Sequence, residues 1–316
     1  MGSAIVSIDL YADHQPVLSA IMGWFAAGAW LLLAGVLGVR LAYQRDRFAR
    51  EASSPASFTG VAGTAVLGTR FAMQDYHAVA AALLAVSGVG WALLLIPVLR
   101  HWETPTAGTS FLLSVATEGL AVLGATLAVS YRAGWLVSAA VPALILGLAL
   151  YVFTAARFDL RELVTVHGDH WVAGGALAIS ALAAGKVTGA AAALGQFSRQ
   201  HQILTTSTLV LWCLAMVWLL PLVAGEVLRP RLTYDVRRWA TVFPLGMYAA
   251  CSLATGRVTG ITGIARLRPS VDVGRIHRQP ARVRRAAPSR LAGAAWSLPS
   301  RRSRFGYVIC RDDQQA

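Results

Sequence analysis

At 316 residues, 56% hydrophobic and only 14% charged, with a mean hydropathy of +0.56, the chain is too apolar for a soluble globular domain, in which about a quarter of residues are charged. The formal net charge of +13 is concentrated at one end: residues 265–316 hold twelve arginines and three aspartates. That tail carries no aromatic pattern on which bases could stack, which argues against a nucleic-acid partner, and the long apolar runs lack the period-two alternation of a membrane β-barrel.

In chain order, residues 1–16 read as a short extramembrane segment containing Asp9, Asp13 and His14, without the basic and apolar regions of a signal peptide. Eight apolar spans follow, predicted at about 17–43, 55–73, 77–99, 108–130, 134–156, 171–194, 204–228 and 238–262. Residues 263–316 form an Arg-rich tail of low complexity, predicted to be disordered. Cys213, Cys251 and Cys310 show no metal or disulfide spacing.

The spans alternate in character. The first, third, fifth and seventh are rich in Leu and Trp, as in WLLLAGVLGV and LWCLAMVWLLPLV. The second, fourth, sixth and eighth are rich in Gly, Ala, Ser and Thr. Bulky apolar side chains suit lipid, whereas small residues let helices approach closely. The predicted fold is therefore an all-α integral membrane protein of about eight transmembrane helices, in inner–outer hairpins repeating every 50 residues or so around a central pore. Eleven arginines follow the odd spans and three follow the even ones. The positive-inside rule then sends the odd spans out into the cytoplasm and leaves the N-terminus outside.

Several polar residues interrupt the apolar background. Glu118 lies in the middle of the fourth span, where a carboxylate costs about 2.5–3.5 kcal/mol. It reads either as a proton site for symport or as a structural hydrogen-bonding group within the bundle. Lys186, the one lysine of the chain, either attracts an anion or snorkels to the surface. Arg70 and Arg257, at the ends of small-residue spans, read as electropositive vestibules or as interface anchors. His167, Asp169 and His170 form an H-G-D-H run whose spacing matches no strong zinc motif, so it reads as a solvated loop. No cofactor or metal is expected. An intramembrane enzyme using Glu118 and this loop is disfavoured, because the two lie about 15 Å apart along the bundle axis.

Residues 237–256, RRWATVFPLGMYAACSLATG, together with GDHWVAGGALAIS at 168–180, FLLSVATEGLAVLG at 111–124 and SPASFTGVAGTAVLG at 54–68, resemble the tellurite-resistance/C4-dicarboxylate transporter family. That family includes the plant guard-cell slow anion channels and the fungal malate and sulfite transporters. The resemblance covers about residues 17–262. It implies ten helices in five hairpins, a pore lined by the inner helices, a homotrimer, and a place in the cell's inner (plasma) membrane in contact with lipid. It also implies transport of small anions: a C4-dicarboxylate, a tellurite-type oxyanion, sulfite or an inorganic anion. Phe243 matches the family's pore-blocking phenylalanine, and Pro244 beside it would supply a kink; the alternatives are a ring facing a neighbouring helix and a kink that only serves packing. The family's first and tenth helices have no counterpart in this reading. The alternative function is accordingly a truncated, non-transporting remnant or a membrane assembly partner.

Overall fold

The computed structural model describes residues 1–102, 106, 108–158, 170–228 and 241–266. Eleven α-helices occur among them. These are α1 (Gly2–Ala12), α2 (Pro16–Tyr43), α3 (Arg45–Ala52), α4 (Phe58–Ala72), α5 (His77–Arg100), α6 (Leu112–Tyr131), α7 (Gly134–Ala155), α8 (His170–Ala193), α9 (His201–Leu228), α10 (Val242–Thr259) and α11 (Thr262–Arg266). Each of the eight expected spans is helical. Six described helical stretches are long and apolar enough to cross a membrane: α2, α5, α6 with its preceding 3₁₀ turn, α7, α8, and α9 with its preceding turn. The other two, α4 and α10, have 15 and 18 residues. Residues 159–169, 229–240 and 267–316 lie outside the described residues, and with them the expected disorder of the tail, His167 and Asp169.

The alternation of bulky and small-residue spans is an alternation of exposed and buried helices. In α6 and α8, 78% of the apolar stretch is buried, against 11% in α2, 17% in α5 and α9, and 28% in α7. The residues of α4 and α10 are largely buried as well. Small side chains do this work. At Gly175 of α8 a Cβ would come within 2.9 Å of the Pro244 ring of α10.

The N-terminal segment adds an element to the sequence reading. Residues 2–12 form a helix, with Ala4, Ile5, Ser7 and Asp9 buried. Helix α1 packs on α2, α4 and α10. At Gly246 of α10 a Cβ would lie 2.7 Å from the Ile5 side chain, so the two helices meet almost backbone to side chain. With α1 in place the buried helices form a closed cycle, since α1 touches α4, α4 touches α6, α6 touches α8, α8 touches α10 and α10 touches α1. The expectation of four inner helices gives way to five.

Each outer helix packs on the inner helix of its own hairpin and on the inner helix of the next. The second contact carries a recurring polar tie. The Trp30 indole of α2 donates to Thr64 of α4 at 2.8 Å. Trp91 of α5 donates to Thr117 of α6 at 2.8 Å, and Trp212 of α9 to Ser252 of α10 at 3.0 Å. In every case the accepting hydroxyl passes its own proton to the carbonyl four residues back, on Gly60, Leu113 and Tyr248 respectively. A buried indole N–H needs such a partner in a bilayer, where water cannot supply one.

Candidate functional site

Five inner helices surround a cavity of about 340 Å³. Ile5, Ile8, Asp9 and Ala12 of α1 form one wall. The others come from the C-terminal portions of α4, α6, α8 and α10, through residues such as Val66, Val122, Ile179 and Met247. The lining is mainly aliphatic. Its hydroxyls on Thr69 and Thr126 are already committed to carbonyls of their own helices, at Ala65 and Val122. What remains for a solute is charge: Lys186 of α8 and Arg257 of α10 both stand in the wall, within electrostatic reach of one another. Lys186 is half-buried and belongs to the cavity. Asp9 shares the wall, and its carboxylate lies close to Gly246.

The remaining expected site residues stand elsewhere. Arg70 is only 1% exposed and turns toward α1 and α2. Its Nε donates to Ser7 Oγ at 2.6 Å and its Nη2 to Ser19 Oγ at 2.8 Å, while its guanidinium carbon sits 4.9 Å from the centre of the Tyr11 ring. It is thus neither a vestibule charge nor an interface anchor but a pin through three helices. Glu118 is fully buried and points away from the cavity, toward α7 and α8. Its Oε1 lies 2.6 Å from Ser180 Oγ, and Oε2 has no hydrogen-bond partner. Phe243 is half-buried at the start of α10 and packs against the core, outside the cavity lining. Pro244 lies in the first turn of α10, where no intrahelical amide donor is required.

Among the described residues no group of three or more His, Cys, Asp and Glu could hold a metal ion. Sequence reasoning missed the α1 wall, although Ile5, Ile8, Asp9 and Ala12 follow the i, i+3, i+4, i+7 spacing of one helical face. It also missed Ser180, because nothing in a sequence joins a hydroxyl to a carboxyl 62 residues away.

A family model described as voltage-dependent anion channel matches residues 1–269. No curated protein and no solved structure matches the chain significantly.

Proposed function

Since this chain belongs to the voltage-dependent anion channel family, whose members are channels and transporters rather than enzymes, we propose that it carries small anions across the inner (plasma) membrane through the cavity enclosed by α1, α4, α6, α8 and α10. The observation that carries this reading is the aliphatic cavity walled by all five inner helices, with Lys186 and Arg257 in its wall. Fixed positive charge in a low-dielectric cleft concentrates anions and raises their entry rate. The closed ring counts against a remnant or a mere assembly partner. C4-dicarboxylates, sulfite, tellurite-type oxyanions and inorganic anions are the substrates to compare. By the arginine bias the cavity opens toward the outer face. Phe243, at the opposite end of α10, is the gate in this proposal, and a homotrimer is the expected assembly.

The test is flux from proteoliposomes loaded in turn with chloride, nitrate, sulfite or malate. Wild-type protein should exceed protein-free vesicles for at least one of these anions. Lys186→Gln and Arg257→Gln should each lower that flux about tenfold, and Phe243→Ala should raise it. Flux no greater than in protein-free vesicles for all four anions would overturn the proposal. An unchanged rate in Phe243→Ala would remove the gate assignment alone.

A further inference from the structure

The polar ties between successive hairpins follow one rule with one departure. On the outer helices the rings at this position are Trp30, Trp91, Tyr151 and Trp212, about 60 residues apart. Four residues before each ring comes an inward position: Ala26, Ser87, Gly147 and Thr208, all buried. On the inner helices the receiving hydroxyls are Thr64, Thr117, Ser180 and Ser252. Three junctions have an indole N–H as donor. The junction of α7 with α8 has Tyr151 where the indole should be, and there a carboxyl occupies the space. Glu118 fits because Gly147 offers no side chain: a Cβ on Gly147 would come within 2.4 Å of Glu118 Cγ.

Ser180 has one proton and two acceptors within reach, Glu118 Oε1 at 2.6 Å and the carbonyl of Ala176 at 2.9 Å. At each of the other junctions the hydroxyl receives a proton from the ring and gives its own to the carbonyl four residues back. Only a carboxylic acid reproduces that arrangement at Ser180. Its O–H then donates to Ser180 Oγ, and Ser180 donates to Ala176. A carboxylate cannot donate. It takes the Ser180 proton for itself and leaves a net charge, with its own second oxygen unanswered, in the interior, which is costly away from water.

We propose that Glu118 is a proton-binding site that completes the α7–α8 junction as a carboxylic acid and loosens it as a carboxylate. The proton comes from water and returns to it. The groups facing Glu118 are few. From α7 there is Tyr151, within electrostatic reach of it. From α8 there is Ser180, with Lys186 about 9 Å further along the helix. From α10, Tyr248 lies beyond Tyr151, and its hydroxyl is also without a partner. On α4 and α5, Arg70 is engaged by Ser7 and Ser19 and His77 stands beside Asp75. Loosening α8 from α6 and α7 widens the ring, so anion passage rises with pH. That last step rests on the transport reading above; the proton site does not.

Infrared spectroscopy of the full-length protein in lipid should show a carboxylic-acid C=O band that is absent from Glu118→Gln and fades as pH rises from about 5 to about 9. The band should move in Ser180→Ala, which removes its acceptor. Hydrogen exchange of the α8 amides around Ala176–Ser180 should quicken about tenfold over the same range in wild type and stay level in Glu118→Gln. Parallel chloride flux should rise with pH in wild type and lose that dependence in the variant. Absence of a Glu118-dependent acid band, or a band and exchange rates that ignore pH, would overturn the proposal. A titrating band without flux of any anion would sink the transport function and leave the proton site standing.

Discussion

At the scale of single residues, the interior of this bundle is governed by what each polar atom can reach. Gly147 shows how narrow the tolerance is. Gly147→Ala would press a methyl group against Glu118, and the expected cost is about 1–3 kcal/mol, seen as a lower midpoint in thermal unfolding of the protein in detergent. The matching change at Gly88, which has nothing within 4 Å of a new Cβ, should leave that midpoint unchanged. The sequence makes Glu118 conspicuous, since a carboxylate inside an apolar run needs a reason. It does not show the direction of its side chain. That direction depends on a glycine in α7 and a serine in α8, two residues without any signal of their own. Lys186 was legible for the same reason as Glu118, Arg257 as a charge at the end of a small-residue span, and both stand in the cavity wall. Arg70 looked alike in sequence, yet two serines and a tyrosine ring from outside its own helix draw it away.

At the scale of helices, composition carried most of the information. Small-residue spans lie inside and Leu/Trp-rich spans outside because side-chain size decides how closely two helices can approach when lipid is as apolar as the core. Helix α1 escaped this logic. Its 11 residues fall well below the 18 or so that signal a span, and Asp9 disguises an otherwise apolar face. The tryptophans on the outer helices read as lipid-facing bulk, but three of them anchor the next hairpin. Trp212→Phe keeps the packing and removes the donor to Ser252. It should cost about 0.6–1.7 kcal/mol, measured as a lower denaturation midpoint. Trp135→Phe, at a residue 71% exposed, should cost nothing measurable.

For the molecule as a whole, closure depends on its smallest wall. Removal of residues 2–12 takes Ile5 away from Gly246 and leaves Arg70 without its Ser7 partner. The expected outcome is a protein that still inserts, exchanges amide protons faster in α4 and α10, and has lost anion selectivity in vesicle flux. Chain order adds a consequence for biogenesis. Every indole tie runs forward, from the outer helix of one hairpin to the inner helix of the one made next. The three hairpins that end in α2, α5 and α9 therefore enter the bilayer with an unanswered N–H, which is satisfied only when the successor arrives. Assembly proceeds like shingling, in one direction from the N-terminus, and a ribosome stalled between hairpins would leave one sticky edge exposed to whatever chaperone waits beside it.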